Sequence, residues 1–124
     1  MGSQEKNNSK FKIVNLTPHI IKISNLENLD IIEVEPSGTV CRVDVYQTEV
    51  DRLFGYIPIM QNRYGELIDL PNPEENTIFL VSSLVLSRIE HRNDVYAPDT
   101  GPTAVRNATG HIVSVIRLVK PEKY

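Results

Sequence analysis

The sequence of 124 residues has little of what many functional sites are built from: one cysteine, no tryptophan and three histidines that lie far apart. One cysteine excludes an intramolecular disulfide and a metal cluster that needs several cysteines. We expect Cys41 to be a reduced, half-buried strand residue. The separated histidines argue against a sequence-local metal site, so we predict neither a metal nor a cofactor.

An excess of basic residues and a long apolar run are also lacking. The chain has 13 Lys and Arg against 16 Asp and Glu, which gives a net charge of −3. This balance argues against a binder of polymeric nucleic acid, although it permits a local basic pocket. No apolar run approaches about 18 residues, so we predict no membrane span and no membrane partner.

Residues 1–10 contain no apolar residue after Met1 and no signal-peptide core, so we expect them to be disordered and the protein to be cytoplasmic. The segment 11–121 is long enough to bury its own core. We predict that it forms one ligand-binding domain.

Short β-branched or alternating segments indicate a domain that consists mainly of sheet. They predict strands at residues 11–16, 20–24, 31–35 and 40–46. The segments 56–60 and 66–70 flank residues 62–65, which predicts a hairpin with a four-residue loop and, because of Pro58, an edge strand. The long β-branched segment 111–119 predicts a central strand.

The clearest pattern covers residues 77–98. The apolar run 77–81 predicts a strand that is buried on both faces, and Ser82 or Ser83 can cap a helix at about 82–92. A further strand at 94–98 completes a β-α-β unit with a parallel crossover. The predicted fold class is therefore α+β: a small, mostly antiparallel or mixed β-sheet domain with one clear helix.

Three groups of residues could carry chemistry, and each has a structural alternative. Ser82 and Ser83 at a helix start could bind an anion, or one of them could merely cap the helix. The basic cluster at the predicted helix exit could recognise phosphate or purine edges, or could simply face the helix dipole. This cluster consists of Arg88, His91, Arg92, Asn93 and Asp94.

The third group contains Asp94, Asp99 and Arg106. Two carboxylates could bind a ribose diol or a magnesium ion, whereas a salt bridge to Arg106 is the structural alternative. Phe79 could stack on a base, although its place in an apolar run favours the core. Tyr64 and Tyr96, which lie nearer to predicted loops, are equal candidates for stacking.

No sequence motif of a common enzyme class is present: we find no GxSxG elbow, P-loop, GxGxxG or HExxH. A site that assembles across the fold would leave no such motif. A small binding domain nevertheless fits the residues better than an enzyme does.

Several short motifs, in this order and spacing, resemble a family of small phage proteins whose characterised members are Thoeris anti-defence proteins of the first type. The resemblance covers about residues 11–119. Its motifs lie at residues 14–19, 36–38, 40–43, 78–82, 92–95, 98–102, 105–107 and 110–113.

The resemblance implies a protein that binds cyclic ADP-ribose isomers made by bacterial TIR-domain enzymes and sequesters them without degrading them. It implies homodimers or higher assemblies such as hexamers, in the cytoplasm of the infected host, with the pocket near the dimer interface. It also implies that some members bind cyclic oligonucleotides at a separate site.

Placed on this sequence, the implied role would use Arg92 and Arg106 for the phosphates, with help from Ser82 and Ser83. Asp94 or Asp99 would accept hydrogen bonds from ribose hydroxyls, and Asn93 would bind the adenine edge or a ribose. The expected ligand-binding set is Phe79, Ser82, Ser83, Arg88, Arg92, Asn93, Asp94, Asp99, Arg106 and Asn107, with Arg42 in a second nucleotide site. Ser83 and Leu84 stand where we expect an aromatic residue, so the stacking residue stays open.

Two other functions are compatible with the sequence. One is an enzyme that hydrolyses a cyclic nucleotide or an ADP-ribosyl bond with Asp94, Asp99, His91 or His111. The other is a structural protein of a phage particle that has no small ligand.

Overall fold

The computed structural model describes residues 11–123, so the expected disorder of residues 1–10 lies outside the described residues. The described elements are β1 Lys12–Asn15, β2 Ile21–Ser24, β3 Ile31–Val34, β4 Arg42–Leu53, β5 Ile57–Ile68, β6 Thr77–Leu80, α1 Ser83–Leu86, β7 Val95–Pro98, β8 Val105–Arg106, β9 Ile112–Ser114 and β10 Leu118–Val119.

The described part of the chain is mostly β, with one short helix and small mixed and antiparallel sheets. Helix is scarcer than the predicted α+β class implies. The helix predicted at 82–92 is limited to Ser83–Leu86, so its predicted length was wrong. After Leu86 the hydrogen bonds change to the 3₁₀ pattern, in which the Arg88 and Ile89 amides donate to the carbonyls three residues earlier. His91 then has a positive φ of 60°, which is outside the helical range.

The largest sheet has the strand order β1-β6-β7-β10, in which β1, β6 and β7 are parallel and β10 is antiparallel to β7. The predicted parallel crossover from β6 to β7 is confirmed. Strand β6 is buried on both faces, as its apolar run predicts. Phe79 and Val81 pack into the main core with α1, whereas Leu80 packs on the other face with Ile21 and Val34.

The predicted central strand at 111–119 was wrong. The segment divides into β9, which pairs with β8, and β10, which lies at the edge of the large sheet. Between them the chain changes partners: the Val115 amide donates to the Lys22 carbonyl, and the Arg117 carbonyl accepts from the Asp99 amide. A β-branched composition indicates extended chain but not which neighbour it joins.

The hairpin exists, but its turn was misplaced. Strands β4 and β5 pair along their length and turn at Phe54 and Gly55, which have φ values of 55° and 80°. The predicted loop at 62–65 lies inside β5. Gly65 occupies a register irregularity there, where an added Cβ would lie 3.1 Å from the Cβ of Asp44.

Within residues 11–123, no helix is long and apolar enough to cross a membrane.

Candidate functional site

The three parallel strands end at the same edge of the large sheet, which we call the carboxyl edge: residues 16–19 follow β1, 81–83 follow β6 and 99–101 follow β7. Ligands of open parallel sheets bind outside the carboxyl ends of the strands. A groove of about 470 Å³ lies here, lined by Thr17, Pro18, His19, Ser82, Ser83 and Thr100 among others. Its volume falls in the range of roughly 300–1,000 Å³ that is typical of small-molecule sites.

Asn15 holds the first loop of the carboxyl edge in place. This fully buried side chain donates to the carbonyls of His19 at 2.7 Å and Val34 at 3.0 Å. Its Oδ1 accepts from the Thr17 amide at 2.9 Å and the Thr17 hydroxyl at 2.7 Å. Every polar atom of the Asn15 side chain is therefore satisfied, and the loop that carries His19 is fixed.

The second loop carries Ser82 and Ser83, both exposed. Ser82 caps α1: its hydroxyl accepts from the Val85 amide at 3.3 Å. The structural alternative is therefore confirmed for Ser82. A one-turn helix has only a small dipole, so α1 alone provides no anion site. Ser83 remains as a polar group that lines the groove.

The third loop is organised by Asp99. Its carboxylate accepts from the Gly101 amide at 3.1 Å and from Arg117 Nε and Nη2 at 3.0 and 2.8 Å. The Gly101 hydrogen bond and then the Arg117 guanidinium lower the pKa of Asp99 below its ordinary value. The alternative partner that we considered for Asp99, Arg106, was wrong. No sequence pattern links Asp99 to Arg117, which lies 18 residues later.

Arg106 lies beside this loop. Its Nη1 donates to the Gly110 carbonyl at 2.8 Å and its Nη2 to the Thr100 carbonyl at 3.3 Å. Both acceptors are neutral, so no carboxylate among residues 11–123 pairs with this charge. Asn107 accepts from the amides of Thr109 and His111 at 3.0 Å and shapes the turn before β9.

The other predicted residues lie at the opposite edge, where β7 begins. Arg92 and Asp94 form a bidentate ion pair at 2.8 and 3.0 Å, with side chains only 17% and 14% exposed. Arg92 also donates to the Pro71 carbonyl at 3.1 Å. This pair anchors the 71–76 loop, and both charges are already satisfied.

Arg88 and Asn93 lie near this pair. The Arg88 guanidinium stacks 5.5 Å from the centre of the Tyr64 ring, and the Asn93 carbonyl accepts from the Tyr96 hydroxyl at 3.1 Å. A four-residue strand spans about 13 Å. One protomer therefore does not bring Arg92, Asn93 and Asp94 together with Ser83, Asp99 and Arg106.

Phe79 is only 1% exposed and belongs to the main core, so its predicted stacking on a base is corrected. Arg42 lies at the base of the β4–β5 hairpin and pairs with Asp69 at 3.2 Å. Cys41 is buried rather than half-buried and directly precedes β4. Burial raises the pKa of its thiol, and the nearby Asp69 carboxylate raises it further.

Sequence reasoning missed Thr17, His19, Thr100 and Arg117. The spacing of Asn15 and Thr17 fits an Asx-turn and could have located the first loop. In the part of the chain that the structure describes, no group of three His, Cys, Asp or Glu side chains is arranged to hold a metal ion. Comparisons with protein-family models, with curated proteins and with solved structures found no match to this chain.

Proposed function

We propose that this chain is a non-catalytic phage protein that binds cyclic ADP-ribose isomers, glyco-cyclic ADP-ribose among them, and sequesters them in the cytoplasm of the infected bacterium. The proposal joins two observations: the ordered motifs that resemble the Thoeris anti-defence family, and a groove at the carboxyl edge that is mainly apolar and carries the polar residues Ser82, Ser83 and Thr100. Sequestration would deprive the defence effector of the signal that TIR-domain enzymes make.

The single observation that carries the proposal is the position of Arg106. Its guanidinium lies beside Thr100 at the groove, and its hydrogen bonds go to neutral carbonyl groups. A pyrophosphate could therefore bind this charge without first breaking an ion pair. Ser83 and Thr100 add polar groups on the same side.

The remaining predicted contacts fit this proposal only in part. Asp99 is held by Arg117, and its second oxygen already accepts from Gly101, so a ribose hydroxyl would have to share these acceptors. Asn93, at the other edge, would reach the same ligand only from a second copy. The proposal therefore includes self-association as a homodimer or hexamer.

Two finer statements belong to the same proposal. We class the domain as α+β because helix α1 lies in the crossover from β6 to β7, and this crossover borders the groove. Arg42 is assigned to a second site for cyclic oligonucleotides, which would compete with Asp69 for its guanidinium.

The test is to incubate the purified protein with glyco-cyclic ADP-ribose, remove unbound ligand, heat the protein and analyse the supernatant by chromatography. We expect intact ligand to appear only after heating, because a sequestering protein holds its ligand without reacting with it.

The other two functions give different results in this assay. Degraded ligand would replace the proposal with an enzyme. Ligand that is never retained would contradict binding and favour a structural phage protein.

A further inference from the structure

Among the described residues, the groove at the carboxyl edge is lined by one aromatic side chain, that of His19. The residues that the sequence suggested for stacking on a base lie elsewhere. Phe79 belongs to the main core, and the Tyr64 ring on the β4–β5 hairpin lies 5.5 Å from the Arg88 guanidinium. Tyr96 does not line the groove either. A base that enters this groove therefore meets the imidazole ring of His19.

The backbone of His19 is fixed, although the residue is exposed. Its carbonyl accepts from the Asn15 side-chain amide at 2.7 Å and from the Thr17 hydroxyl at 3.1 Å. The preceding residue is Pro18, whose ring restricts the chain on the other side. A ring that stands on a fixed backbone loses little conformational entropy when a ligand packs against it.

The rest of the lining also suits a base. Ile21, Val81 and Pro98 line the same groove as His19, and the described residues place no Lys, Arg, Asp or Glu in its lining. The face of a base packs favourably on rings and apolar groups, whereas a phosphate needs charged or hydrogen-bonding partners. The base is therefore the part of a nucleotide that fits this groove best.

The strand order separates this position from the phosphate position. Strand β6 lies between β1 and β7, so the loops that carry His19 and Thr100 follow strands that are about 10 Å apart. Arg106 donates to the Thr100 carbonyl and so lies at the β7 side. In a nucleotide the ribose separates the base from the phosphates. A base at His19 and a phosphate at Arg106 would therefore place the ribose near the loop that follows β6.

We propose that His19 is the base-stacking residue of this groove, and that its imidazole ring packs on the face of the adenine of the bound cyclic nucleotide. This inference rests on the proposed function and adds to it a residue that recognises the base. Stacking depends on the face of a base rather than on its pattern of donors and acceptors. His19 therefore selects ligands that carry an aromatic base, and not adenine in particular.

The test is isothermal titration calorimetry of the full chain with glyco-cyclic ADP-ribose and, separately, with inorganic pyrophosphate, which has no base. His19→Asn removes the ring but keeps a polar side chain, and should weaken binding of the cyclic nucleotide about 5- to 150-fold. It should bind pyrophosphate like the wild type. His19→Phe restores a ring and should bind the cyclic nucleotide like the wild type.

Tyr56→Asn is the matched control, because it removes a 71% exposed ring at the turn of the β4–β5 hairpin, away from the groove. It should bind both ligands like the wild type. The Tm of all three variants should stay unchanged, because the His19 and Tyr56 side chains lie outside the core.

Three results would overturn the inference: nucleotide binding by His19→Asn that equals the wild type, a loss that His19→Phe does not restore, or an equal loss for pyrophosphate. Each of them leaves the proposed function standing, because the wild type still binds the cyclic nucleotide. A wild type that binds no cyclic nucleotide would contradict the proposed function and this inference together.

Discussion

At the scale of single residues, hydrogen-bond partners distinguish structural roles from binding roles better than residue type does. Arg92, Arg106 and Arg117 are chemically identical, yet Arg92 and Arg117 neutralise carboxylates whereas Arg106 donates to carbonyl groups. Sequence reasoning selected Arg92 and Arg106 alike and passed over Arg117. The partner of a long side chain depends on tertiary placement, which one sequence does not reveal.

Arg106→Ala should weaken binding of glyco-cyclic ADP-ribose at least tenfold. A hydrogen bond to a charged group contributes about 1.5–3 kcal/mol, which corresponds to roughly 10- to 100-fold in affinity. The Tm of the ligand-free protein should change little, because the two hydrogen bonds that are lost are exposed. Isothermal titration calorimetry and thermal denaturation measure the two quantities.

Lys12→Ala is the control for charge, because it removes an exposed cation where β1 begins, away from the carboxyl edge. It should bind like the wild type. Equal binding by Arg106→Ala, or a large loss of Tm without ligand, would make Arg106 a structural residue.

Asp99 predicts a pH dependence of stability. Its pKa is lowered in the folded state, so its stabilising effect is fully present above the ordinary value of 3.8 and is lost as the pH falls through the folded pKa. Asp99→Asn should therefore lower the Tm at pH 7, and the difference from wild type should shrink below about pH 4.

Thermal denaturation of both proteins from pH 7 to pH 3 measures this difference. A gap that is the same at every pH would show that the charge of Asp99 contributes nothing to stability. Asp30→Asn, which alters an exposed carboxylate in the β2–β3 turn, should leave the Tm unchanged throughout.

At the scale of elements, the buried strand β6 and the short strands β2 and β3 were predictable, whereas the turn of the exposed β4–β5 hairpin was not. The run at 77–81 identified β6 and its crossover to β7, because a continuous apolar run has few other places in a small domain. The spacing of two strand-like segments placed the hairpin loop at residues 62–65, where the chain contains turn-forming residues. The true turn, Phe54 and Gly55, lies in an apolar segment that resembles a core strand.

For the helix, the prediction had the right place but too great a length. The apolar spacing from Leu84 to Ile89 predicted a helix of about three turns at residues 82–92. The structure has one helical turn, and the hydrogen bonds that follow it join each amide to the carbonyl three residues earlier. Ile89 is buried at the end of this segment. Helix stability comes mainly from tertiary packing, and a segment that already buries its apolar residues after one turn gains little from continuing. The far part of the β4–β5 hairpin leaves its apolar residues exposed instead.

At the scale of the whole molecule, the predicted site residues divide between two edges of one sheet. Ser83, Asp99 and Arg106 lie at the carboxyl edge, whereas Arg92 and Asn93 lie where β7 begins. Composition and motif order led to a ligand class but not to this division, because strand direction decides which loops meet. Under the proposed function, a complete pocket for a dinucleotide-sized ligand would need a second copy of the chain.

The most direct measurement of the central claim is a native mass spectrum of the protein after incubation with glyco-cyclic ADP-ribose. One spectrum reports both the number of chains and the mass of what they hold. We predict an assembly of more than one copy that carries the mass of the intact ligand and releases it unchanged on denaturation. A protein that carries no added mass, or only the mass of a ligand fragment, would contradict the claim that this chain sequesters the nucleotide.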